Sequence, residues 1–251
     1  MNSTAKIISL CIASTVGLCA SALALGPVSV TAKADYASKY VWRGYDLYAN
    51  GDAFQPSLTA SVAPMDGLGL SLGAWGSYDV DNNTEWTEFD YTLSGSYAAT
   101  DKLTVSAGYI YYAFPTVADS DANDTKELYA SASFLLPASL AATVSGYYDF
   151  DDGKGYYLNC ALDYATSLGE KSTLGLGASA GYMAYRDGSV YVDSSGDGFK
   201  GISDVNIKAS ISTPLAEALT LGATANYTIV PDGDINSDNE FWTLTSLTYA
   251  F

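Results

Sequence analysis

The chain has 251 residues, with 28 Asp plus Glu against 11 Lys plus Arg and a formal net charge of −17. That balance excludes a nucleic-acid partner, whose phosphates require a basic surface. No histidine occurs anywhere, which removes Ser-His-Asp catalysis, His-ligated metals and imidazole proton relays together, so neither an enzyme nor a cofactor is expected.

The first stretch reads as an export signal. MNSTAK carries one lysine, IISLCIASTVGLCASALAL follows without a charge, and Ala22-Leu23-Ala24 offers small residues at signal-peptidase spacing. Cleavage there removes residues 1–24 and leaves residues 25–251 as one domain. Ala32-Lys33-Ala34 is a second candidate, but it would cut into the first strand. A single-pass anchor is the rival reading of the apolar run. Cys11 and Cys19 fall within the signal, so Cys160 stands alone in the mature chain, with no internal disulfide and no cysteine metal cluster.

From residue 28 onward the hydrophobic period is two, and no useful length has helical periodicity. Val28, Val30, Ala32, Ala34, Tyr36 and Tyr40 share one face, opposite Lys33, Asp35, Lys39 and Arg43. EFDYTLSGSY, YYLNCALDY, DVNIKASIS and LTLGATANYTI repeat the alternation, and FWTLTSLTYAF sets Phe241, Leu247, Tyr249 and Phe251 on one side. The pattern predicts twelve strands, near 28–43, 54–63, 68–79, 86–98, 103–114, 127–136, 140–150, 156–166, 173–186, 202–212, 219–229 and 241–251. Each is close to the roughly nine to eleven residues that cross a bilayer at a steep tilt. Short turns (PMDG, AATDK, PAS, SLGEK, TPLAEA) alternate with mostly longer, Asp-rich loops, as an antiparallel meander with one trimmed end requires.

Alternation alone leaves open which face is buried. An even strand count, alternating loop lengths, an export signal and a polar face of small Gly, Ser, Thr, Asn and Ala favour a membrane barrel, apolar side outward, over a soluble sandwich or barrel. Aromatics cluster at both ends of the apolar faces: Tyr40, Tyr78, Phe89, Tyr111, Phe150, Tyr156 and Tyr182 towards long loops, and Tyr97, Phe134, Tyr164, Tyr249 and Phe251 towards short turns. Such girdles mark the two headgroup layers. Tyr249 and Phe251 are expected to serve as a C-terminal assembly signal, read by the barrel-assembly machinery. The fold class is therefore all-β, a twelve-stranded antiparallel transmembrane up-and-down barrel of the outer-membrane type. Its place is the outer membrane of a Gram-negative bacterium, among lipid and lipopolysaccharide.

Three stretches, SKYVWRG (Ser38 to Gly44), GAWGS (Gly73 to Ser77) and GYIYYAFP (Gly108 to Pro115) followed by ELYASASF, resemble the TorF-type porin-like family, also known as the Gcw_chp bacterial proteins of unknown function. The resemblance covers strands one to six in order and fades towards the C-terminus. It implies an outer-membrane barrel and a pore. After Gly44 the chain reads Tyr45-Asp46-Leu47, where the family usually has a small aliphatic and polar pair.

Polar-face parity nominates Lys33, Lys39, Arg43, Glu88, Asp90, Asp149, Asp163, Asp204 and Lys208 as pore-lining residues, with Arg43 foremost at the long-loop mouth. These charges either set a transverse field across a narrow bore or pair and plug it. The expected function is a porin-like channel for passive diffusion of small hydrophilic solutes or ions. The alternative is a closed barrel acting as a structural, adhesive or ion-bridging surface protein through its acidic loops, which include DSDAND (Asp119 to Asp124) and DGDINSDNE (Asp232 to Glu240). The second loop has calcium-like alternation but carries Ser237 at position six and Thr243 at position twelve, where a calcium loop needs glycine and glutamate. No metal site is therefore assigned. Acidic loops favour cations at the mouth, and Lys33, Lys39 and Arg43 favour anions deeper inside. Cys160 is placed on the lipid side as a small apolar residue.

Overall fold

A computed structural model describes residues 28–116, 124–187, 189, 191 and 196–251. The expected signal (1–24) and residues 119–123 of the DSDAND loop lie outside the described residues. The strands are β1 (Ser29–Ala37), β2 (Val41–Trp42), β3 (Tyr45–Asp46), β4 (Ala53–Met65), β5 (Leu68–Asp79), β6 (Glu85–Thr100), β7 (Leu103–Ala113), β8 (Thr125–Leu135), β9 (Leu140–Asp149), β10 (Gly155–Leu168), β11 (Ser172–Tyr185), β12 (Lys200–Pro214), β13 (Leu219–Ile229) and β14 (Glu240–Ala250).

Every strand but β2 and β3 joins one closed antiparallel barrel, which makes twelve staves in up-and-down order. β1 closes the cylinder on β14 with the register Thr31↔Ala250 to Ala37↔Leu244, and it pairs β4 on its other side. The Phe251 N–H donates to the Val30 carbonyl at 2.9 Å, so the seam is hydrogen-bonded to the last residue. Hydrocarbon offers no water to an open edge, which makes this closure obligatory for a spanning sheet.

The side chains are inverted relative to a soluble protein. Leu58, Leu72, Leu93, Val144 and Ile207 lie more than half exposed on the outer surface. Their neighbours point inward and are small and polar: Ser71 and Ser94 share a 2.6 Å hydroxyl contact across β5 and β6, and Ser133 meets Thr143 at 3.0 Å across β8 and β9. Tyr97, Phe134, Tyr249 and Phe251 at one rim, and Phe150, Tyr156 and Tyr182 at the other, are exposed and form the two girdles. Cys160 is exposed on the same outer face.

One expected element differs. The first strand stops at Ala37 instead of running to residue 43, because Ser38 turns the chain out of the wall. Its N–H donates to the Thr243 carbonyl, and its hydroxyl accepts from the Thr243 N–H, both at 2.9 Å. Tyr40 consequently leaves the outward girdle and is buried inside, edge-on to Tyr48 and tilted against Trp75. Alternation in the sequence is the same whether Tyr40 and Trp42 meet lipid or meet aromatics on the inner wall.

Placing arginine at Leu93, on the outer face near mid-strand, is expected to lower the refolding free energy in lipid vesicles by about 2–4 kcal/mol. The same change at the inward neighbour Ser94 should cost clearly less. Urea titration of vesicle-inserted protein distinguishes the two, and equal losses would contradict the inversion.

Candidate functional site: a hairpin folded into the barrel mouth

Between β1 and β4 the chain turns into the barrel at its long-loop end. β2 and β3 pair as Val41↔Asp46 and Trp42↔Tyr45, which leaves Arg43-Gly44 as a two-residue turn. Both turn residues have positive φ, 49° and 97°, as the tightest hairpins require. Glycine accepts this freely; at Arg43 such a conformation costs on the order of 1–3 kcal/mol and persists only where surrounding contacts enforce it. Gly44 also lies against the wall: a Cβ there would sit 2.7 Å from the Ser203 carbonyl oxygen. The base of the hairpin is closed by the Leu47 N–H donating to the Tyr40 carbonyl at 2.8 Å.

The contacts that enforce Arg43 come from the far side of the cylinder. Its two terminal nitrogens donate to the two carboxylate oxygens of Glu127 on β8, at 2.7 and 2.8 Å. Nη1 also donates to the Tyr185 hydroxyl on β11 at 3.0 Å. The guanidinium carbon lies 4.3 Å from the ring centre of Trp42, 4.4 Å from that of Tyr157 on β10 and 5.0 Å from that of Tyr147 on β9. Tyr112 on β7 donates a further 2.8 Å bond to Glu127. Side-chain exposure is 6 % for Arg43 and 2 % for Glu127. Burial works against the Arg43 charge, but Glu127 more than offsets it, and the guanidinium is held protonated more firmly than in water.

The rest of the segment is tied to several other staves. Tyr40 donates to Glu88 on β6 at 2.8 Å, and Tyr48 to Ser77 on β5 at 2.7 Å. Lys39 pairs with Glu240 on β14 and contacts Asn50. Trp42 and Tyr45 both pack against Tyr191, beside the buried Met183, Tyr185, Phe199 and Ile235. Burial, with Asp232 and Asp234 nearby, pushes the Tyr45 phenol up to about 12, so it stays neutral. The hairpin therefore crosses the mouth with an anchor on each side.

The nominated lining residues divide into groups. Lys33 pairs with Asp35 at 2.7 Å, and Lys208 with Asp163 at 2.9 Å, all four on inward faces. Glu88 and Asp90 point inward on β6 and belong to no ion pair among the described residues; Asp90 Oδ1 has no hydrogen-bond partner among them either. Asp204 is buried and accepts from Tyr157, Ser203 and Asn206. Asp149 is buried beneath the β9–β10 loop, where it accepts from the Thr125 hydroxyl and the Asp151 N–H; it fastens the loop. Lys39 and Arg43 sit on the inserted segment, not on a barrel strand as their parity suggested. In DGDINSDNE, Asp232 and Asn236 accept from backbone N–H groups two residues on, and Asn239 accepts from the Val230 N–H. Among the described residues no three His, Cys, Asp or Glu side chains come close enough to hold a metal ion.

Glu127 and its tyrosines were missed. The signal existed for Glu127: Leu128, Ala130, Ala132 and Phe134 face outward on β8, so odd positions face inward. Nothing local pairs it with Arg43, 84 residues earlier.

Glu127→Ala is expected to leave a buried, uncompensated charge, a loss of about 3–5 kcal/mol from the docked hairpin. Limited trypsin digestion of refolded protein reads this directly: cleavage after Arg43 should be resisted by the native protein and fast in the variant, with the barrel intact by heat-modifiable gel migration.

No functionally curated protein matches the chain in sequence. Among solved structures it is similar to the COG4313 outer membrane channel of Pseudomonas putida F1, at 11 % identity and TM-score 0.56 over 92 % of this chain and 97 % of that one. It is also similar to the NanC porin, at 11 % identity and TM-score 0.53 over 88 % and 98 %. The KdgM porin, in a complex with disordered oligogalacturonate, aligns at 12 % identity and TM-score 0.52 over 89 % and 99 %. At such identities these likenesses establish the outer-membrane barrel fold. The sequence profile described as "bacterial protein of unknown function (Gcw_chp)" matches residues 21–247, and the chain belongs to that family.

Proposed function

We propose that this protein is an exported outer-membrane channel through which small hydrophilic solutes or ions pass by diffusion, gated at its mouth by the inserted hairpin. The observation that carries the reading is the inner wall. It is lined by small hydroxyl and glycine positions such as Ser71, Gly73, Ser94, Ser106 and Ser131, side chains too short to fill a cylinder of twelve staves. The channel and porins with similar folds agree with it, and so does the family. Assembly by the barrel machinery through Tyr249 and Phe251, and contact of the acidic loops with lipopolysaccharide, belong to the same proposal.

Selectivity for cations follows from how the lumen charges pair. Lys33, Lys39, Arg43 and Lys208 each have a carboxylate partner, Asp35, Glu240, Glu127 and Asp163. The anion-attracting groups are thus neutralised, and the exposed carboxylates of the mouth loops are left to set the sign. A second reading, a closed barrel acting through its acidic loops, draws on the hairpin itself, which is anchored on opposite walls.

Planar bilayers separate the two. Discrete current steps from purified refolded protein support the channel, and their consistent absence, also after Gly44→Val to dislodge the hairpin, supports the closed barrel. In a conducting channel, Asp232→Asn combined with Asp234→Asn in the mouth loop is expected to shift the reversal potential under a salt gradient towards anions. An unchanged potential would remove these carboxylates from the ion path.

A further inference from the structure

Five of the residues around the Arg43 guanidinium belong to the barrel wall and not to the hairpin. Tyr112, Glu127, Tyr147, Tyr157 and Tyr185 lie on β7, β8, β9, β10 and β11, five contiguous staves. Barrel register places them: Tyr147 sits directly across from Tyr157, and Glu127 across from Ile110 and Asp149. Without Arg43, what faces the lumen is a carboxylate steadied by one phenol, a second phenol able to accept, and the faces of two more rings.

Those groups select for one kind of cation. Two carboxylate oxygens side by side match the fork of a guanidinium, which donates to both at once. Ring faces attract a planar, weakly hydrated charge that can lie against them. An ammonium group is a compact point charge, strongly hydrated, and has no plane to lay on the Tyr147 and Tyr157 rings. The present occupant is tethered to a hairpin of two residue pairs whose tip arginine has a positive φ.

We propose that this cage is a binding site for guanidinium-bearing solutes, filled in the closed state by the chain's own Arg43. A free guanidinium and the docked hairpin exclude one another, so such a solute holds the mouth open. The site stands on the cage geometry; only its effect on passage rests on the channel reading.

The test is calorimetric titration of methylguanidinium into refolded Arg43→Ala protein in detergent. Saturable binding is expected, at least roughly tenfold tighter than to the native protein and roughly tenfold tighter than binding of methylammonium to the same variant. Adding Glu127→Gln to Arg43→Ala should abolish it. Absence of binding to Arg43→Ala, indifference to Glu127→Gln, or equal affinity for methylammonium would each overturn the proposal. Should Arg43→Ala not refold, Arg43→Lys, which keeps the charge but loses the fork, is titrated against the same criteria. Bilayer recordings on the same preparation keep the two readings apart: a silent variant that binds methylguanidinium removes the channel and keeps the site, and a conducting variant that does not bind removes the site and keeps the channel.

Discussion

The constraint on which this structure depends is that hydrocarbon satisfies no backbone hydrogen bond. A sheet in that medium must have no edge, so β1 has to find β14 across the whole length of the chain, and the Phe251 N–H bonds the Val30 carbonyl at the seam. The same medium sets the side chains. Leucine, valine and isoleucine gain by facing outward, and hydroxyls gain by facing the enclosed water, which inverts the soluble pattern without altering its period of two.

With the hydrophobic side chains spent on the lipid face, the interior has few means of being packed. The long-loop half solves this differently from the rest of the lumen. There the inward positions change from serine, threonine and glycine to tyrosine, tryptophan and carboxylate: Trp75, Tyr112, Tyr147, Tyr157, Trp242, Glu88, Glu127 and Asp204. Residues 38–52 fill the space among them. The hairpin carries both kinds of partner these walls offer, rings for the rings and a guanidinium for the carboxylate. Its docking is a folded core in miniature, built at the mouth of a cylinder that is otherwise lined by small groups. The strained turn at Arg43 and Gly44 is held by that docking.

Charge pairing changes what the inward residues present. Among the described residues Lys33, Lys39, Arg43 and Lys208 each pair with a carboxylate, so these basic groups do not project a field of their own. Parity arguments count charges on a face; pairing decides which of them a passing ion meets. Asp149 illustrates the difference, because it faces inward as expected yet is consumed by Thr125 and the loop above it.

The sequence by itself determined the number of barrel strands, their order, which barrel-strand residues face lipid, the two aromatic girdles apart from Tyr40, and the family. These properties depend on periodicity, loop length and motifs that are local in the chain. Its family resemblance also reached further than the first six strands, since the match runs to residue 247. Only the tertiary structure decided that the strand expected to reach Arg43 ends at Ala37, that Tyr40 and Trp42 turn inward, and that Arg43 is gripped by Glu127. An alternating run reads the same whether its aromatic face meets acyl chains or other rings. Which of those two apolar surroundings it takes is settled by a wall 84 residues away, which exists only once the barrel has closed.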